Sequence, residues 1–103
     1  MAKAYYTHAM WRIKPENEAA FVEAWKALGA AFLGLPQPAT QGTLIQSLTE
    51  PALFYSFGPW NSLEEIAAMR SNPEAQAALQ RVRDLCEEAS AGGYRVVAEM
   101  GGE

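Results

Sequence analysis

The chain has 103 residues, half of them hydrophobic and 19% charged, which suffices for one buried core and excludes a disordered polymer. Residues 1–103 are therefore expected to form a single domain. The net charge of −4, with acids and bases interspersed, offers no basic stripe for phosphates and argues against a nucleic-acid partner. No apolar run approaches the roughly 20 residues of a bilayer span, and the first six residues form no apolar leader, so a cytoplasmic protein without membrane contact is expected.

Along the chain, Tyr5, Thr7, Ala9, Trp11 and Ile13 alternate with Tyr6, His8, Met10 and Arg12, the period of a strand with two unequal faces. Lys14-Pro15-Glu16-Asn17 turns into a helix with Asn17 as its N-cap. Phe21, Trp25, Leu28 and Phe32 follow at helical spacing and form one core-facing stripe. Gly29 within that stripe costs about 1 kcal/mol relative to Ala, which suggests close packing or a bend. The helix should end near Gly34, and residues 35–42, with two prolines and a terminal glycine, make a loop and a candidate pocket lid.

Residues 43–48 read as a second strand, joined by a turn at 49–52 to an aromatic third strand that begins at Leu53 and is expected to stop at Gly58-Pro59. Trp60 then stands at the mouth of that strand. Ser62 and Glu65 form a capping box that starts a second helix. Asn72-Pro73 should break and restart this helix, because an interior proline costs about 3 kcal/mol whereas a first-turn proline is tolerated. Ala75, Leu79, Val82, Leu85 or Cys86, and Ala89 keep helical period up to Gly92-Gly93. The lone Cys86 is read as a small buried apolar residue of that stripe. Residues 94–100 alternate as a last strand.

The order strand, helix, strand, strand, helix, strand is the α+β, ferredoxin-like βαββαβ arrangement, with a four-stranded antiparallel sheet and both helices on one face. The first and third strands are its central pair. The uncovered face would carry Tyr6, Met10 and Val97, with Phe54 a further candidate, beside His8, Arg12, Arg95 and Glu99. So much apolar surface calls for a protein partner, and the simplest is a second copy packed sheet to sheet. A homodimer is expected.

On these residues the chain resembles the antibiotic biosynthesis monooxygenase (ABM) family, the dimeric α+β barrels. The resemblance rests on Trp11-Arg12-Ile13-Lys14-Pro15, on Phe21 and Trp25, on the stretch from Phe54 to Trp60 with Ser62-Leu63-Glu64-Glu65 after it, and on Ser71-Asn72-Pro73. It implies a pocket between sheet and helices that Trp60 would line, and a small electron-rich aromatic substrate such as a quinol or polyketide-like phenol oxidised without a cofactor. Where the haem-degrading branch has a ligating histidine, this chain has Met69, and its first strand lacks that branch's asparagine. Haem chemistry is thus disfavoured.

The candidate substrate-binding residues are Trp60, Trp11, Trp25, Phe57, Met69 and Phe21, each of which is core if no ligand binds. His8 and Tyr55 are the candidate catalytic residues: a histidine titrates near neutrality, and a tyrosine can donate to a phenolate oxygen. His8, however, falls on the face assigned to the dimer, and a register error of one residue would reverse that. Arg70 and Arg12 could hold an anionic substrate. No metal-ligand spacing, nucleotide-binding glycine motif or nucleophile triad is present, so neither a metal nor another cofactor is expected. The alternative function is a non-catalytic, small-ligand-binding homodimer of the same fold.

Overall fold

The computed structural model describes residues 4–35 and 41–101. Strand β1 spans Tyr5–Ile13, and a single 3-10 turn, Pro15–Asn17, leads into helix α1, Glu18–Leu33. Strands β2, Thr43–Gln46, and β3, Leu53–Trp60, form a hairpin. Helices α2, Leu63–Ser71, and α3, Pro73–Arg83, precede strand β4, Cys86–Arg95. The sheet is antiparallel throughout in the order β2-β3-β1-β4, so β1 and β3 are the central pair and the ferredoxin-like reading holds. No helix among the described residues is long and apolar enough to cross a membrane. Of the candidate lid, residues 36–40 lie outside the described residues.

Alternation on the central strands decides which face is covered. Ala9, Trp11 and Ile13 of β1 and Phe54 of β3 pack with Phe21 and Leu28 of α1 and Ala78 and Val82 of α3. A second cluster joins Trp60 to Leu35, to Ile66 and Met69 of α2, and to Ala75 of α3. All three helices therefore cover one side of the sheet. Phe54, a candidate for the uncovered side, belongs to this core, because β3 pairs in a register that aligns it with Trp11.

Local chemistry explains the helix ends. Gly34 receives α1 with its backbone N–H on the carbonyls of Ala30 and Ala31. Ser62 Oγ accepts from the Glu65 N–H, but Glu65 returns its carboxylate to the backbone and side chain of Asn61, one residue ahead of the expected capping-box partner. Asn72 ends α2 and caps α3, with Oδ1 accepting from the Ala75 N–H at 2.9 Å. Asn17 precedes α1 as expected, yet its side chain reaches back toward the Leu85 carbonyl and makes no cap. Gly29 has nothing within 4 Å of the site of a Cβ, so close packing does not explain it.

Two strands differ from their sequence reading. β3 runs through Gly58-Pro59 to Trp60, paired with β1 to its end. β2 reaches only as far as Phe57 on the other side, which leaves an open edge where a proline is tolerated. The larger difference is β4. Its residues 86–91 fit a helical stripe, and Gly92-Gly93 reads as a stop, yet the chain leaves α3 at Arg83 and pairs with β1 from Cys86 onward. Here an available ladder partner overrides the weak β-propensity of Ala-Ser-Ala-Gly-Gly. Residues 96–100 follow the strand, and of these Val96 donates its N–H to the Ala4 carbonyl.

Candidate functional site

The small residues of β4 shape the helix side of the sheet. Thr7 pairs with Gly93, Ala9 with Ala91 and Trp11 with Ala89, so this part of β4 presents only hydrogens and methyl groups toward the helices. Nothing on the strand fills the layer beneath α2. The result is an open cleft of about 550 Å³ between α2 and β4, lined by Leu63, Ile66, Ala67, Arg70, Ser71 and Gly93.

Ile66 ties this cleft to the core. It is 4% exposed and packs in the same cluster as Trp60 and Met69, so one side chain forms both the cleft wall and the seat of the tryptophan. Phe32 meets the Trp60 ring edge-on at 5.7 Å. Trp60 itself is 1% exposed, and its indole donates to Thr7 Oγ1 at 2.9 Å. It lies behind the cleft wall.

The polar complement of the cleft is sparse. Ser71 donates its hydroxyl to the carbonyls of Ala67 and Ala68 in its own helix. Arg70 sits in the last turn of α2, where a cation complements the helix dipole, and its guanidinium lies over Gly93 on the strand opposite. Among the described residues the ion pairs join Arg12 to Glu50 and Glu88, and Lys26 to Glu23, and Arg70 takes part in none of them.

The remaining candidates fall into two further groups. Trp11 and Phe21 lie together in the larger core cluster, ring centroids 6.0 Å apart, with Trp25 packed against it. Trp11 donates to Ser56 Oγ at 2.9 Å. His8, Tyr55 and Phe57 occupy the opposite face of the sheet. There the His8 ring lies 5.4 Å from that of Tyr55 and 5.7 Å from that of Tyr94, over a hollow of about 350 Å³ lined by His8 with Tyr6, Phe57, Tyr94, Arg95 and Val96. The structure thus brings Trp60 and Met69 together behind the cleft, holds Trp11, Phe21 and Trp25 in the core beside them, and separates Phe57, His8 and Tyr55 from both by the sheet. Among the described residues no three of His, Cys, Asp and Glu converge as a metal site would require.

Sequence reasoning missed Leu63, Ile66, Ala67, Ser71 and Gly93 as cleft residues. Gly93 read as a helix stop, which removed the strand that forms one wall. The available signal was the alternation of small residues, Ala89, Ala91 and Gly93, once they are placed on a strand.

The fold has close parallels among solved structures. SnoaB, a cofactor-independent oxygenase from Streptomyces nogalater, superposes with a TM-score of 0.82 at 14% identity, covering 96% of this chain and 98% of that one. A conserved protein from Methanosarcina mazei Go1 gives 0.76 at 18% identity over 90% and 92% of the two chains. A conserved protein of unknown function from Bacteroides thetaiotaomicron gives 0.78 at 18% over 93% and 100%. At these identities the likeness is one of fold. None of the curated proteins matches the sequence. The family model described as antibiotic biosynthesis monooxygenase matches residues 4–81, from β1 through most of α3, and this chain belongs to that family.

Proposed function

We propose that the protein is a cofactor-independent monooxygenase of a small electron-rich aromatic, a quinol or polyketide-like phenol, which binds in the cleft between α2 and β4. The observation that carries this reading is the cleft itself: apolar walls at Leu63, Ile66 and Ala67, a glycine floor, and a guanidinium that makes no ion pair among the described residues. The volume suits a two-ring aromatic. Family membership and the likeness to SnoaB support the reaction class.

In this reaction the phenolate supplies every electron. Its activated ring carbon bonds to dioxygen, and the peroxide so formed takes up a proton. The O–O bond then breaks as the ring carbon loses its hydrogen, leaving a quinone carbonyl and one water. No outside reductant is needed. The protein's part is to favour the phenolate over the phenol and to exclude bulk water, for which a cation over an apolar cleft is suited. Oxygen uptake with a naphthoquinol, corrected for autoxidation, tests the reading. Ala67→Trp, which fills the cleft from an exposed position, should abolish the enzymatic component.

A second reading, a non-catalytic ligand-binding protein, is favoured by one feature: among the described residues, Arg70 is the one titratable side chain that lines the cleft. It predicts aromatic binding without oxygen uptake. In both readings the uncovered sheet face, with Tyr6, Met10, Tyr55 and Phe57, joins two copies, and His8 belongs to that interface.

A further inference from the structure

Arg70 has the surroundings of a residue that awaits an anion. One turn back on its own helix stand Ile66 and Ala67, and the carboxylate four residues on, Glu74, lies beyond the Asn72 break in α3 and makes no ion pair with it. The three ion pairs among the described residues engage Arg12 and Lys26. A guanidinium at a helix C-terminus needs only to lie near the last carbonyls to complement the dipole. This one instead spans from α2 to the opposite wall, where a terminal nitrogen comes within 3.4 Å of the place a Gly93 Cβ would occupy. Gly93 leaves that place free.

From this we infer that the cleft selects aromatic ligands bearing a preformed anionic substituent, a carboxylate foremost, with Arg70 as the specificity-determining residue. The inference rests on the cleft reading above and adds the substrate's charge class. A carboxylate accepts two parallel N–H bonds from a guanidinium, which fixes the ring plane between Ile66 and the glycine floor as well as supplying attraction. Ser71 cannot substitute for Arg70, because its hydroxyl is already committed to its own helix.

The test compares 2-naphthoate with 2-naphthamide, which share size and ring system and differ in charge, by ligand-observed NMR titration of the full chain. The unsubstituted protein should bind the naphthoate about tenfold more tightly, a ratio equivalent to about 1.4 kcal/mol. Arg70→Gln should bring the two ligands within about twofold of each other. Arg81→Gln, which removes the same charge from exposed α3, should leave the ratio unchanged. Equal affinities in the unsubstituted protein, or the same loss from Arg81→Gln as from Arg70→Gln, would overturn the inference and leave an apolar aromatic cleft. Failure of both ligands to bind would overturn the cleft reading together with it. A naphthoate preference in a protein that shows no enzymatic oxygen uptake with the naphthoquinol would remove the oxygenase reading alone.

Discussion

Trp60 donates its indole N–H to the Thr7 hydroxyl across the β3–β1 pair, at 2.9 Å. Trp60 is aligned with Tyr5, so the bond runs diagonally, two residues along the partner strand. Trp11 repeats the relationship at the other end of the same pair: it is aligned with Phe54 and donates to Ser56. Two large rings are thereby locked into the helix-side layer with their polar edges satisfied. Thr7→Val keeps the shape and removes the acceptor, leaving a buried donor unpaired. It should lower unfolding free energy by about 1–2 kcal/mol in urea titrations. Adding Trp60→Phe should cost less than the sum of the two single changes, since the first has already broken the bond.

The break between α2 and α3 depends on Asn72, whose backbone N–H meets the Met69 carbonyl while its side chain accepts from Ala75. Asn72→Ala should destabilise the protein by about 1 kcal/mol, whereas Asn72→Asp, an equally good cap, should stay close to the parent. Thermal or urea unfolding of the three proteins distinguishes them. A result in which Asp and Ala behave alike would show that Pro73 alone sets the break.

How much of this was legible in the sequence depends on whether local chemistry or the ladder decides. Alternation from Tyr5 to Ile13, the stripe from Phe21 to Phe32, and Asn72-Pro73 are local signals, and each gave its element. β4 is the opposite case. Ala-Ser-Ala-Gly-Gly has little preference of its own, and the helical spacing from Ala75 to Ala89 arises because Leu85, Cys86 and Ala89 happen to continue the intervals of Ala75, Leu79 and Val82 in α3. Only pairing with β1 makes it a strand. The cleft inherits this: one of its walls is the strand that local spacing assigns to a helix. The sequence groups Trp60 and Met69 with Trp11, Trp25, Phe57 and Phe21, and none of these six side chains lines the cleft. Which of their neighbours opens to solvent depends on the side chains that β4 lacks.

Two glycines make opposite predictions. At Gly58 a Cβ would stand 2.5 Å from the Gln41 carbonyl oxygen, a backbone atom that cannot swing aside. Gly58→Ala should cost about 1–3 kcal/mol by forcing apart β3 and the chain entering β2. At Gly29, inside α1, a Cβ meets nothing within 4 Å, and Gly29→Ala should stabilise by up to about 1 kcal/mol through helix propensity. Unfolding midpoints that move in the same direction would contradict the packing described.

Burial pushes the Cys86 thiol up from its ordinary value, with the Val82 carbonyl accepting from its S–H at 3.4 Å. The folded chain thus holds this proton more tightly than the unfolded one. Below the ordinary thiol range, near pH 8.5, both states are protonated and Cys86 contributes no pH dependence. As pH rises through that range the unfolded state loses its proton first, so this part of the stability declines. Cys86→Ala should lack the decline, and the difference between the two proteins' unfolding free energies should shrink from pH 7.5 to pH 10. The native thiol should also react more slowly with a disulfide reagent at pH 8 than the same chain in urea.

The uncovered sheet face yields the prediction on assembly. Ile45, Tyr55 and Met10 are aligned across β2, β3 and β1, and the next row places Phe57 beside His8. Arg12, paired with Glu50 and Glu88, closes one margin with charge. An apolar centre with a polar rim is the anatomy of an interface, and a stable one requires about 1,200–2,000 Å² of buried surface. Met10 lies on the middle strands, so a charge there is desolvated if two sheets meet. Met10→Asp should therefore convert a dimer to a monomer in analytical ultracentrifugation, since burying two unpaired carboxylates costs several kcal/mol. Ala27→Asp adds the same charge to an exposed position of α1, on the far side of the molecule, and should leave the dimer intact. If the parent sediments as a monomer, the face needs a different partner. If Ala27→Asp dissociates the dimer as Met10→Asp does, the copies meet through the helices, and the cleft beneath α2 would then lie near the interface.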